Sequence, residues 1–204
     1  MRPLSERAFA GRRVALRPLT EADAAAALEA FLASAAQLKR RFAWAQAALG
    51  PEDMRGFVKA KAEAWEAGTA STFAVFEARG ERFVGVLSLD PIIRETLKAQ
   101  LSIWIRAGEE NKGYAVEAGR LAVEYAFRRL ILHRLFARID PSNRGARRVL
   151  QKLGFRYEGC LRGDKRLGSR WIDQECWGIL RADWRPAKNP APAPSGQRKQ
   201  RRRQ

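Results

Sequence analysis

An α+β fold, a mostly antiparallel sheet with helices on both faces, follows from three features of this 204-residue sequence. Apolar residues alternate with a period of two in several short runs and recur at helical spacing in others. The runs fall in the order strand, helices, three strands, helix, strand, helix, two strands. A single helix joins the strand at 99–105 to the strand at 133–140 as a βαβ-like crossover, while the remaining neighbours read as antiparallel pairs.

Gly11 to Leu19 alternates basic and apolar residues as a first strand. Thr20-Glu21-Ala22-Asp23 reads as a helix start, with Thr20 as cap and acids in the first turn. The Ala-rich segment to about Leu49 is helical, in two pieces broken near Ser34. Pro51-Glu52-Asp53 opens another helix, since proline suits a first turn. Phe57, Ala60, Ala64 and Trp65 would line its buried face, and Gly68 would end it. Ser71 to Ala78 and Arg82 to Asp90 form a hairpin through Arg79-Gly80-Glu81. Pro91 to Lys98 is a polar connection into the strand Ala99 to Ile105. From Ala115, the residues Ala118, Leu121, Ala122, Tyr125, Ala126 and Leu130 recur as one helical face. His133 to Asp140 is a strand, Arg144 to Leu153 a short helix ended by Gly154. Phe155 to Leu161 and Ser169 to Leu180 form a final antiparallel pair. Trp104, Trp171, Trp177 and Trp184 are assigned to the core, and His133 to a structural role.

The chain divides into one domain, 1–185, and a segment at 186–204 that is rich in Pro and Ala and then basic. This tail has nothing to bury and is expected to be disordered in isolation. The net charge of +17 points to an anionic partner, nucleic acid or a phosphate-rich ligand. Arg185 to Gln204 holds seven of the basic residues and no acid, which leaves +10 on the rest. No apolar run approaches the roughly 20 residues of a membrane span. Met1 to Arg7 lacks a signal peptide's apolar centre, and Cys160 and Cys176 have no metal-ligand spacing, so reduced thiols in a cytoplasmic protein are expected.

The candidate site centres on Glu110-Asn111-Lys112-Gly113-Tyr114-Ala115, between the 99–105 strand and the long helix. A helix N-terminus offers unpaired N–H groups and partial positive charge, and so can hold a phosphate. An ordinary strand-to-helix loop has the same appearance.

Gly113-Tyr114-Ala115-Val116-Glu117-Ala118, then Tyr125-Ala126-Phe127, Asn143, and Leu153-Gly154-Phe155-Arg156-Tyr157-Glu158-Gly159 closely resemble the GNAT superfamily of acyl-CoA N-acetyltransferases. Glu158-Gly159-Cys160-Leu161-Arg162, Asp173, Asp183-Trp184 and the opening Leu16-Arg17-Pro18-Leu19 are similar to its RimJ/RimL branch, whose members acetylate N-terminal alanine or serine of ribosomal proteins. The resemblance covers roughly Arg12 to Trp184. It implies a GNAT-like mixed sheet in which a parallel strand pair, 99–105 and 133–140, splays to admit acetyl-CoA. The backbone of Ile103, Trp104 and Ile105 would bind the pantetheine arm, and the amides of Lys112, Gly113, Tyr114 and Ala115 would cradle the pyrophosphate. Asn143 would contact the arm, cap the following helix, or do both. Arg144, Arg147 and Arg148 would meet the adenosine phosphate or form a solvated helix face.

The same resemblance implies a direct transfer in a ternary complex, with acetyl-CoA as co-substrate and the Trp104 N–H stabilising the oxyanion. Glu158 is the candidate base, or else a solvated edge-strand acid. The family's usual acids are absent: Ala146 and Leu150 stand where Ser and Tyr occur, leaving Tyr157, Cys160, water or an unassisted thiolate. Glu110 replaces a Gln or Arg and places a negative charge beside the phosphate loop. The expected acceptor is a protein N-terminus, a ribosomal one first, with ribosome or RNA contact through the basic tail at 197–204. The alternatives are a small amine (polyamine, amino acid or aminoglycoside) and a non-catalytic CoA- or RNA-binding protein. Monomer and homodimer both stay open.

Overall fold

The computed structural model describes residues 9–46, 49–79 and 82–186. In chain order the elements are β1 (Phe9–Ala10), β2 (Val14–Pro18), α1 (Ala24–Lys39), α2 (Pro51–Glu66), β3 (Ser71–Glu77), β4 (Phe83–Ile93) and β5 (Lys98–Ile105). They continue with α3 (Tyr114–Arg128), β6 (Arg134–Ile139), α4 (Arg144–Lys152), β7 (Arg156–Leu167) and β8 (Arg170–Leu180). The strands form one sheet in the order β1-β2-β3-β4-β5-β6-β8-β7. Its one parallel junction is β5 with β6; the others are antiparallel. The predicted α+β fold and its crossover helix are thus present. The basic tail and the hairpin residues Gly80 and Glu81 lie outside the described residues. No described helix is long and apolar enough to cross a membrane.

Two apolar layers sandwich the sheet. On one face α3 and α4 bury Ala118, Ala122, Phe127 and Leu150 against Phe73, Leu87, Leu89 and Leu135. On the other, α1 and α2 bury Phe31, Leu38, Met54 and Val58 against Ala74 and Val86. The alternation along β3 and β4 sends neighbouring side chains to opposite layers, as a strand covered on both faces requires.

Helix α1 does not break at Ser34. The buried Ser34 hydroxyl donates to the Ala30 carbonyl one turn back (2.7 Å) and accepts the Ala107 N–H (2.9 Å), so a residue that favours helix ends is satisfied inside one. Thr20 opens the preceding turn as expected. Asp23, almost fully buried, accepts its N–H (2.9 Å) and both guanidinium nitrogens of Arg17 (2.8 and 2.6 Å). In α2 the buried stripe is Met54, Val58 and Trp65, while Ala60 is exposed. Small alanines carry little apolar area, so the larger side chains set the rotation of the helix. Strand β4 extends through Pro91 to Ile93, and only residues 94–97 form the turn into β5. Trp177 is buried as expected, whereas Trp171 is 67% exposed.

Gly85 on β4 faces Ile105 in register, and a Cβ there would overlap the carbonyl of Trp104. Gly85→Ala therefore forces the β5 backbone to move. We expect a loss of about 1–3 kcal/mol in urea unfolding, the usual cost of overpacking; an unchanged midpoint at unchanged slope would contradict this packing.

Candidate active site

Strands β5 and β6 pair only over Lys98–Arg134, Ala99–Leu135 and Gln100–Phe136. Beyond these three the strands part, and a cavity of about 360 Å³ opens between their C-terminal ends. Its walls include Leu101 to Ile105 of β5, Ala137 to Asp140 around the end of β6, the start of α3, and α4. An opened parallel pair leaves backbone groups of both strands without ladder partners.

The β4–β5 register decides which groups those are. Arg106 donates its N–H to the Val84 carbonyl (2.8 Å), and Trp104 stands opposite Val86 two residues along. In an antiparallel ladder every second residue turns its N–H and C=O to the same neighbour. The N–H of Trp104 therefore points at β4, and those of Ile103 and Ile105 point into the opening. This corrects the sequence-based choice of Trp104 N–H as the oxyanion donor. The Trp104 side chain instead packs in the α1–α2 layer, where it lines the cavity.

The second wall is the start of α3. Gly113 is its N-cap in the left-handed region (φ +83°), a conformation that L side chains rarely adopt, and a Cβ would run into the Arg13 guanidinium. The first intrahelical bond is Glu117 N–H to the Gly113 carbonyl (3.1 Å). The N–H groups of Tyr114, Ala115 and Val116, all cavity residues, precede it and have no acceptor among the described residues. Unpaired donors at the positive end of a 15-residue helix fit a phosphate group.

Charged side chains fix this loop, and two of them, Glu109 and Glu110, also border the cavity. Glu109 is buried and accepts from Arg82 Nη1 (2.7 Å) and Lys112 Nζ (2.8 Å). The hydrogen bond from Lys112, with help from Arg82, holds its carboxyl below the usual range despite burial. Tyr114 OH donates to Glu77 Oε1 (2.6 Å), lowering that carboxyl and raising the phenol. Lys112 is thus engaged with Glu109 and does not line the cavity. Glu110 does line it, with Oε2 turned back onto the Gly108 N–H (2.7 Å). Sequence reasoning missed Glu109. Its spacing of three from Lys112 was the one available signal.

Of the other predicted residues, Ile103, Ile105 and Asn143 line the cavity. Asn143 caps α4 by accepting the Ala146 N–H (3.1 Å). Arg147 pairs with Glu175 (2.6 Å), and Arg148 lines the cavity. Tyr157 and Glu158 do not line it. Tyr157 is half exposed, edge-on to Trp177. Glu158 forms a two-pronged pair with Arg134 (2.5 Å each), which lowers its pKa. Arg134 begins β6, at the end where β5 and β6 are still paired.

The acetyltransferase (GNAT) domain model matches residues 13–156. Probable N-acetyltransferase YjcK of Bacillus subtilis (strain 168) is 39% identical over 112 residues, 54% of this chain and 62% of that protein. The [ribosomal protein uS5]-alanine N-acetyltransferase of Escherichia coli (strain K12) is 27% identical over 122 residues, 59% of this chain and 63% of that protein. The spermidine N(1)-acetyltransferase of the same strain is 36% identical over 87 residues, 43% and 46%. The chain thus spans less than two thirds of the length of these relatives. Among solved structures, RimL, the ribosomal L7/L12 alpha-N-protein acetyltransferase in complex with coenzyme A, superposes with a TM-score of 0.79 at 20% identity. That match covers 83% of this chain and 95% of that one.

Replacing Glu109 by Gln removes the negative charge that two cations share and one of the two oxygens that accept from them. In Glu109→Gln, amide exchange at Ala107, Gly108 and Glu109, the loop's hydrogen-bonded amides, should speed at least about tenfold, with a loss of about 1–3 kcal/mol in stability. Because the folded carboxyl lies below its free value, the stabilisation is complete above about pH 4.3 and fades as pH falls through the lowered value. The substitution should therefore abolish a loss of loop protection that wild type shows only on acidification. Equal exchange in both proteins at neutral pH would remove Glu109 as the loop's anchor.

Proposed function

We propose, because this chain belongs to the GNAT acetyltransferase family, that it moves an acetyl group from acetyl-CoA to a primary amine. The observation that carries the reading is a single cavity. It joins the unpaired first-turn amides of α3 to the open backbone edge of Ile103 and Ile105. The two features match the two ends of the donor. The α3 amides suit the pyrophosphate, with Arg148 on α4 adding charge. The β5 edge suits the amide-bearing arm, which takes the place of the missing strand partner. Asn143 caps α4 through its carbonyl oxygen, which leaves its side-chain N–H groups as donors for that arm.

In the proposed reaction the neutral amine nitrogen attacks the thioester carbonyl carbon. The C–S bond breaks, CoA leaves as the thiolate, and the nitrogen gives up a proton. Either Ile103 or Ile105 supplies the N–H that meets the developing oxyanion. An α-amine, with a reference pKa near 8, is partly neutral at physiological pH and needs little help from a base. Glu158, committed to Arg134 and outside the cavity lining, is a weak base by position and by pKa. Water is the simpler proton acceptor.

The preferred acceptor is the N-terminal amine of a protein, a ribosomal one first. The uS5-alanine N-acetyltransferase relative supports this, as does the basic tail, which would hold the enzyme near RNA without reading sequence. The spermidine N(1)-acetyltransferase relative favours a polyamine as the second reading, against which the +10 carried outside the tail counts.

Acetyl-CoA-dependent thiol release with N-terminal peptides, set against spermidine and aminoglycosides, tests the reaction; no release with any amine would sink it. Glu158→Gln should keep turnover within about twofold of wild type, and a loss of tenfold or more would restore Glu158 as the base. Deleting 186–204 should weaken ribosome cosedimentation, most visibly at low salt, while peptide turnover is retained. Unchanged cosedimentation would mean that the tail is not an anchor.

A further inference from the structure

The cavity has a side that acetyl-CoA does not account for. Gln37, near the end of α1, and Arg41, in the turn after it, line this side together with Lys165 of β7. All three present hydrogen-bond donors. Gln37 Nε2 is buried and has no acceptor among the described residues. Lys165 Nζ donates to the Arg41 carbonyl (2.6 Å), which uses one of the ammonium's three N–H groups. Neither Lys165 nor the Arg41 guanidinium has a carboxylate within ion-pair distance among the described residues.

Of the acids nearby, Asp140 also lines the cavity and its charge acts on Lys165, though not within ion-pair distance. Asp164 pairs with Arg138 (3.1 Å), and Asp140 accepts the Ser142 N–H (2.7 Å) through Oδ1. Glu109 and Glu110 belong to the phosphate loop, held as described above. Burial pushes the Lys165 ammonium below its usual range; the charge of Asp140 opposes this only in part, and a further anion set against the ammonium would oppose it more. Donors left without acceptors in a part-buried wall are costly, and a carboxylate would satisfy several at once.

We infer that the acceptor amine carries a carboxylate close to its nitrogen, and that Gln37, Arg41 and Lys165 receive it. This rests on the acetyl-transfer reading above and narrows its substrate. The carboxylate can come from an acidic residue following a peptide's N-terminus or from the α-carboxylate of a free amino acid. A polyamine instead brings further positive charge against Arg41 and Lys165 and is disfavoured.

The test uses the full chain and peptides that begin Ala-Glu, Ala-Gln or Ala-Lys and are otherwise identical, with free alanine and spermidine alongside. We expect kcat/KM for the Ala-Glu peptide to exceed that for Ala-Lys by at least tenfold. That ratio should fall below threefold in Lys165→Met and in Arg41→Gln, and return in Lys165→Arg. Free alanine outpacing every peptide would assign the carboxylate to an amino acid; the reverse assigns it to a peptide. Should Lys165→Met fail to fold, Arg41→Gln, in a half-exposed turn, carries the same comparison. Equal rates on all three peptides with free alanine no faster, or a preference for spermidine, would overturn the inference and leave acetyl transfer standing. No CoA release with any amine would remove the acetyl-transfer reading itself.

Discussion

Everything at the site depends on the short parallel ladder between β5 and β6. Three residue pairs hold the strands together before they diverge. A β-strand inside a sheet cannot leave its amides and carbonyls bare in a dry interior, so the separation requires something else to complete the ladder. The same three pairs join the two halves of the sheet, β1 to β5 and β6 to β8, which also share one apolar core under α3 and α4. The opening is thus a fixed feature of the topology rather than a surface groove. Its location, at the C-terminal ends of adjacent parallel strands, is where α/β sheets commonly place their ligands.

Around that opening, the chain invests its charged groups in positioning. Glu109 is buried between Arg82 and Lys112, Tyr114 is tied to Glu77, and Ser34 of α1 accepts the Ala107 N–H. These contacts come from α1, the end of β3 and the residue before β4, all distant in sequence from the loop they hold. The loop arrives at α3 with its amides already oriented, so little ordering remains when an anion binds. Glu110 keeps its negative charge at the cavity, with one carboxylate oxygen held by the Gly108 N–H two residues back.

Much of the architecture was readable from local chemistry. Proline at the start of α2, Thr20 with Asp23, and glycines at 68, 113 and 154 act where the backbone needs them. The apolar period identified α3 and its flanking strands without help from tertiary structure. Ser34 was misread because a tertiary contact, invisible to a local window, satisfies its hydroxyl inside α1. Of the α2 face, Trp65 is buried and Phe57 packs against the core as expected, and only Ala60 is exposed. The Trp104 amide was misassigned for a sharper reason. Facing β4 or facing the opening depends on strand register, and register is settled by pairing across the sheet. Glu158 likewise looked like a candidate base until its partner, 24 residues earlier, was brought against it.

The order β6-β8-β7 leaves β7 as the outer strand of the sheet. Its outward row of amides and carbonyls is the kind of edge on which a second chain can extend a ladder. The register slips between Tyr157 and Gly159 and again between Leu161 and Lys165, and the strand carries Arg156, Glu158, Arg162, Asp164, Lys165 and Arg166. Those bulges break the even spacing that an added strand would need, and the charges would have to be desolvated by it. The sheet is thereby terminated from within, and the exposed Tyr157, Leu161 and Trp171 are separated by features that discourage fibre-like growth.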